Sequence, residues 1–376
     1  MDEVPIAFYE HVCGILSIEG LYGAKELSGL YGQLAQHTYE HVVEYGCSVR
    51  RGIEEDRSLV YEWNRRRVVA PDEIEAVPKK FVRKVWIHLK DWTGKRVSRE
   101  LVQRFPHAIY EFVLDTSRVN KAWVDLAFST NKLQRVWIDK MLEDSALQRF
   151  YKLVTGKKLC RLAVHPGACE GGMMEMSKLL LLQEQFEMLE ILYNEDFYYE
   201  DSSDQDSDDD DPFNENSYDR YSNDKDLWRT DESVSEILEF WSKHTKQGEG
   251  KMLTVSEVSK RDCQKGIKQV EEILLKWKLS LLRRPKHLTL QDVLKVCSKE
   301  ECDFINKEYR HNHHTFTTPS CVYKYETRKG NTKLRLYISF ECDTNGALTQ
   351  RRPASHEGHN DLELMSRTSS LRILFA

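Results

Sequence analysis

The chain has 376 residues, 40% of them hydrophobic and 10% aromatic, which is enough for two domains of ordinary size with real cores. Its formal charge of −6 hides an asymmetry: Glu195 to Asp211 holds ten acids and no base, which leaves +4 for everything else. So mild an excess is only a weak pointer to nucleic acid, because phosphate-backbone binding needs a concentrated basic patch.

The opening MDEVPIAFYEHV carries early acids and no basic region before an apolar core, so it does not read as a secretory signal. Phe8, Val12, Ile15 and Leu16 recur at helical spacing, as do Leu27, Leu30, Tyr31 and Leu34. Ile109, Phe112 and Val113, then Val119, Trp123 and Leu126, then Leu133, Val136, Trp137 and Met141 extend the same reading. A faint repeat runs through it. Val4-Pro5-x-x-Phe8-x-x-x-Val12-x-x-x-Leu16 matches Val77-Pro78-x-x-Phe81-x-x-x-Val85-x-x-x-Leu89. Two copies of a Pro-initiated amphipathic helix predict a degenerate duplication, residues 4–76 and 77–149, packed face to face.

Turn material follows at Thr155 to Lys158 and at His165-Pro166-Gly167. The run from Met173 to Leu192 is the most apolar helix candidate. Lys178, Glu184, Glu187 and Glu190 interrupt it, so it is no membrane span. A helix from about Glu175 to Tyr193 closes a helical domain over 1–193.

Residues 194–229 are acidic, polar and aperiodic, and predict a disordered linker. Within it Ser203 and Ser207 each have an acid three residues on, which suits an acid-preferring kinase. Structure resumes with a helix bearing Val234, Ile237, Leu238 and Trp241, and a short helix over Thr254 to Lys260. Ile267, Val270, Ile273, Leu274, Trp277 and Leu281 mark a strong helix, and Thr289 with Asp292 forms a capping box. The period then drops to two. Leu334, Leu336, Ile338 and Phe340 alternate with Arg335, Tyr337, Ser339 and Glu341, a half-buried strand paired with Cys321 to Thr327. The second domain thus spans 230–342. A tail over 343–376 is expected to be largely disordered, with a short strand at Leu371 to Phe375. The fold class predicted is mainly α-helical, with a small C-terminal α+β domain built around the hairpin.

Chemistry is sparse. Neither G-x-x-x-x-G-K-[ST] nor G-x-G-x-x-G occurs, and kinase, hydrolase-elbow and zinc-protease signatures are missing. Cys297, Cys302, His311, His313, His314 and Cys321 are the available zinc ligands, but no tight C-x-x-C knuckle organises them. Buried thiols followed by a wet His-rich loop is the duller account. Cys169 near His165 has no third group to orient a base. The nine Cys are read as reduced thiols of a cytoplasmic or nuclear protein. Lys79, Lys80, Arg83 and Lys84, interleaved with Trp86 and Trp92, could meet nucleic acid; a helix with a wet basic side explains them as well. Trp63, in a charged stretch, is a candidate interface anchor.

The opening MDEVPIAFYEHV and the stretch CVYKYETRKGNTKLRLYISFEC resemble a large group of nematode proteins of unassigned function, some of them related to F-box proteins. These stretches cover under a tenth of the chain. The resemblance implies an adaptor role. A true F-box would dock a ubiquitin-ligase scaffold through a short three-helix unit near the N-terminus. The sequence expectation is therefore a non-enzymatic, cofactor-free protein-interaction module without a membrane span. A ubiquitin-ligase adaptor, a weak nucleic-acid binder and an unrecognised enzyme are the alternatives.

Overall fold

The computed structural model describes residues 4–91, 95–130, 133–193, 232–257, 263–280, 287–309, 320–329, 332–341 and 361–376. It contains two compact units, Met1–Leu159 and Cys160–Ala376. Neither is mainly helical. Thirteen strands among the described residues make this a mixed α/β protein, which corrects the helical reading.

The first unit opens with three short helices, α1 (Ile6–Ile15), α2 (Ile18–Ala24) and α3 (Leu30–His41). They share a small core of Cys13, Leu21, Ala24, Ala35 and Val42. The chain then enters a hairpin of β1 (Val43–Arg50) and β2 (Ile53–Tyr61). Arg51 and Gly52 form its turn with φ of 52° and 73°, the left-handed pair that matches strand twist in two-residue hairpins. After β3 (Arg67–Val68) and α4 (Pro71–Ala76) come three strands separated by helices: β4 (Val82–Leu89), α5 (Lys95–Arg104), β5 (Ile109–Leu114), α6 (Lys121–Ser129), β6 (Leu133–Ile138) and α7 (Asp144–Thr155). Within the unit the strand order is β3-β2-β1-β4-β5-β6, with β1, β4, β5 and β6 parallel.

Successive parallel neighbours joined by right-handed crossovers put every connecting helix on the same face. The packing agrees. The Tyr110 hydroxyl donates to the Phe105 carbonyl at the end of α5, at 2.5 Å, and the Phe112 ring meets Trp123 of α6 edge-on at 5.4 Å. Val85, Ile87, Leu89, Tyr110, Phe112, Val136 and Ile138 are buried beneath these helices.

The second unit carries β7 (Arg161–Val164), α8 (Gly171–Leu181), β8 (Met188–Tyr193), α9 (Ser233–Lys243), α10 (Thr245–Gly248), β9 (Met252–Glu257) and α11 (Cys263–Leu279). It ends with β10 (Lys295–Val296), α12 (Lys299–Glu308), β11 (Ser320–Lys329), β12 (Thr332–Glu341) and β13 (Ser370–Phe375). The order is β10-β11-β12-β13-β9-β8-β7, parallel from β7 to β9 and antiparallel beyond. Lys251 lies here at 5% exposure and donates to the carbonyls of Leu181 and Gln183 where α8 ends.

Several sequence expectations meet this structure directly. Helices at Ile6–Ile15, Leu30–His41, Ser233–Lys243 and Cys263–Leu279, the β11–β12 hairpin, the Thr289–Asp292 capping box and a strand at Ser370–Phe375 are present. The stripes at Ile109 and Leu133 are strands, Thr254 lies in β9, and the run to Tyr193 is a helix ending at Leu181 followed by β8. The Val-Pro repeat is not two copies of one element. Val4-Pro5 leads into α1, whereas Val77-Pro78 leads through a 3-10 turn, Lys79–Phe81, into β4. Apolar residues four apart satisfy both periods: they share a helix face, and, four being even, a strand face as well. The repeat that exists is strand plus helix rather than helical. Its strands start at residues 82, 109, 133, 161 and 188, and a period of about 24 to 28 residues is usual for strand–helix repeats.

The boundary between the units falls after Leu159, not near residue 193. The linker assigned to 194–229, with Ser203 and Ser207, lies outside the described residues. The tail ends in a paired strand. Cys321 is disulfide-bonded, against the expectation of nine reduced thiols; Cys13, Cys47, Cys160, Cys169, Cys263, Cys297 and Cys302 are free. No helix among the described residues is long and apolar enough to cross a membrane.

Candidate interaction surface

Alternation along β4, β5 and β6 sends one set of side chains under the helices and the other onto the opposite face. That second set is charged and aromatic: Lys84, Trp86 and His88 from β4, Glu111 and Val113 from β5, Arg135 and Trp137 from β6. Strand register arranges them in rows. Glu44 of β1 lies beside Lys84; Trp86, Glu111 and Arg135 form the next row; His88, Val113 and Trp137 form the third. At the carboxyl ends Asp115 and Asp139 continue the alternation, and their backbone N–H groups still donate to Leu89 and Leu114 of the neighbouring strands.

The rows are built as a charge ladder. Glu111, 5% exposed, lies 3.3 Å from Lys84 and 3.8 Å from Arg135, and Lys84 also reaches Glu44 at 3.6 Å. A carboxylate at that depth is tolerable only because cations flank it. At the carboxyl end Lys140 pairs with Asp115 at 3.0 Å, and His88 Nε2 lies 3.8 Å from the same carboxylate. Burial outweighs the pull of Asp115 and lowers the His88 pKa, so the imidazole is neutral at pH 7. Lys90 pairs with Asp56 at 3.8 Å. The Ser48 hydroxyl donates to Asp56 at 2.6 Å and holds its carboxyl below the usual range. Asp139 differs. It is 7% exposed, and burial, reinforced by the nearby Asp115 charge, pushes its pKa up to about 6.

Trp86 and Trp137 stand on this ladder two strands and one step apart, roughly 12 Å by sheet geometry. Each has a cation from its own strand over the ring: Lys84 at 5.3 Å and Arg135 at 6.0 Å from the centroids. Both tryptophans are half-buried. Opposite Trp86, Gly46 leaves a notch; the nearest atom to a Cβ there is Ser58 Oγ at 3.6 Å.

The residues singled out from sequence scatter. Lys84 and Trp86 belong to this face. Arg83 does not: its guanidinium donates to the carbonyls of Cys13 and Leu16, tethering the N-terminal helices to β4. Lys79 and Lys80 are exposed in the turn before β4, where Lys80 meets Glu10 at 3.5 Å. The expected basic helix is therefore a strand whose cations are committed to carboxylates and carbonyls. Trp63 is 46% exposed, beside Tyr39 at 6.4 Å. Trp92, His311, His313 and His314 lie outside the described residues. Cys297 and Cys302 are buried with Ile305, Val322, Tyr337 and Leu374, and Cys321 is consumed by its disulfide. Among the described residues no group of His, Cys, Asp or Glu is arranged to hold a metal ion. His165 and Cys169 are buried at 6% and 1%.

Sequence reasoning missed His88, Glu111, Asp115, Arg135, Trp137 and Asp139. A signal was present: Lys84-Val85-Trp86-Ile87 and Arg135-Val136-Trp137-Ile138 are the same tetrapeptide with one basic exchange. No protein-family model matches the chain, and no characterised protein or solved structure is significantly similar to it.

Proposed function

We propose that the chain is a non-catalytic interaction module that binds a cytoplasmic or nuclear protein through the charged, aromatic face of β1, β4, β5 and β6. The observation that carries this reading is the paired Lys/Arg-Val-Trp-Ile motif, which sets Trp86 and Trp137 on one face of the sheet. Indoles supply large rigid contact area at low entropic cost and dominate binding energy at interfaces. Strand–helix repeats also present extended sheet faces suited to protein ligands.

The test is quantitative capture from native extract with the wild-type chain and with the Trp86→Ala/Trp137→Ala double variant, each checked for an unchanged melting profile. The expected result is a partner enriched by the wild type and lost with the variant, whose affinity in purified form falls at least tenfold. An identical captured set from both proteins sinks the reading.

A ubiquitin-ligase adaptor is the second reading, favoured by one observation. Three short helices precede the sheet, and they leave Ile6, Phe8, Ile15, Tyr22, Leu27 and Leu30 exposed. The F-box resemblance implies a scaffold-docking unit at this place. Co-purification with a ubiquitin-ligase scaffold that is abolished by Phe8→Ala with Ile15→Ala supports this reading; its absence removes it.

A further inference from the structure

We propose that the Asp115–Asp139 end of this face receives an arginine or lysine side chain from the protein partner, with Asp139 as its acceptor and Trp137 as the ring beside it. The inference rests on the face being a protein-binding surface, and deepens that reading by naming what the partner brings.

The charges around the site lead to it. Glu44, Lys84, Glu111 and Arg135 satisfy one another along the lower rows. Lys90 is matched by Asp56, and Lys140 gives its ammonium to Asp115. The Asp139 carboxyl is left over. No hydrogen bond or ion pair reaches it from the described residues, although it is 7% exposed. It sits one strand from Asp115, so an ionised Asp139 adds a second negative charge to the same corner. A buried carboxylate without a partner is costly, and a charge-assisted hydrogen bond from an incoming cation removes that cost. A neutral donor relieves desolvation but not the repulsion between the two carboxylates; a cation relieves both. Trp137 precedes Asp139, the first residue past β6, by two residues and so lies on the same face, where its ring quadrupole favours a cation.

Protonation sets the direction with pH. Asp139 titrates near 6, so at pH 7 it is mostly ionised and attracts the cation; at pH 5 it is mostly neutral and does not. The charged groups facing it are Asp115 and Lys140, with His88 and Lys90 two strands away on β4 and its carboxyl end. Burial lowers the His88 pKa, and protonation of its imidazole on acidification opposes the incoming cation as well, so both groups weaken binding as pH falls.

The probe is acetyl-Gly-Arg-Gly-Arg-Gly-amide, with the citrulline counterpart as the uncharged isostere. Both are titrated into the full chain while the indole N–H resonance of Trp137 is followed by NMR. The arginine peptide is expected to shift that resonance and to bind about tenfold more tightly than the citrulline peptide. Asp139→Asn should abolish the preference, and lowering pH from 7 to 5 should weaken wild-type binding about tenfold and the variant's binding by clearly less. Equal affinity for the two peptides, an unmoved Trp137 resonance, or an Asn variant that keeps the preference each overturns the proposal. The pH arm needs no variant, so a folding failure of Asp139→Asn does not block the test. Partner capture that depends on Trp86 and Trp137 but ignores Asp139→Asn removes the cation and leaves the surface. Capture that ignores the tryptophans removes the surface itself.

Discussion

Lys251 shows how a single residue in this protein resolves two opposed costs. Its ammonium donates to the Leu181 carbonyl at the end of α8, a group that a helix end leaves without an intrahelical partner, and to the Gln183 carbonyl, which also accepts from the Phe186 N–H. Burying the ammonium is itself unfavourable and lowers its pKa to about 8. In the unfolded chain the same amine titrates at about 10.4. Between pH 8 and 10 the unfolded form therefore holds a proton that the folded form has released. Stability from this group rises through that window, and at lower pH, where both forms are protonated, the full cost of burying the charge remains. Urea denaturation of wild type and Lys251→Met at pH 7, 8 and 9.5 measures it. The stability difference should move in favour of wild type as pH rises from 8 to 9.5. A flat difference would falsify the assignment of an amine titrating near 8.

At the scale of elements, close packing of helix on sheet decides more than helix propensity. Gly266 of α11 meets the second-unit sheet so closely that a Cβ there would lie 2.6 Å from Val255 Cγ1 and 2.8 Å from the Tyr193 hydroxyl. Gly266→Ala raises intrinsic helix propensity by about 1 kcal/mol. Overpacking costs about 1 to 3 kcal/mol, so the substitution should be destabilising on balance. An alanine variant with a higher melting temperature than wild type would show that α11 is free to move off the sheet. The same coupling explains what the sequence reveals. The helix over Cys263–Leu279 is legible because its stripe is long, and the β11–β12 hairpin because its alternation is strict. β4, β5 and β6 are short, and each is buried on one face under helices, so Val85, Phe112 and Val136 look apolar in runs that fit either period. Of the surface, only Lys84 and Trp86 were legible. Glu111 and Asp139 join Trp137 on this face through register, which pairs residues about 25 apart in sequence, and beyond the repeated tetrapeptide around Trp137 it leaves no local trace.

For the molecule as a whole, each unit has its own set of strands and its own buried rings. Phe112, at 0% exposure, lies beneath α6 in the first unit; Phe340, also at 0%, lies in β12 of the second and stacks on Tyr323 at 5.8 Å. Removing either ring takes away about 3 to 5 kcal/mol, a large share of the stability of a unit of this size. Cooperative units in native proteins open with free energies set by their own contacts. Phe112→Ala should therefore accelerate amide exchange in β4, β5 and β6 while β8, β9 and β12 keep most of their protection, and Phe340→Ala should do the reverse. Peptide-resolved hydrogen exchange on the full chain reads both patterns in one experiment. A uniform loss of protection from either lesion would mean that the two cores melt as one body. The charged face of the first unit would then have to be read as part of a single cooperative structure, its ligand affinity sensitive to lesions in β12. Selective loss instead ties the Trp86–Trp137 surface to the integrity of β4, β5 and β6 alone, so that Phe112→Ala abolishes partner capture and Phe340→Ala preserves it.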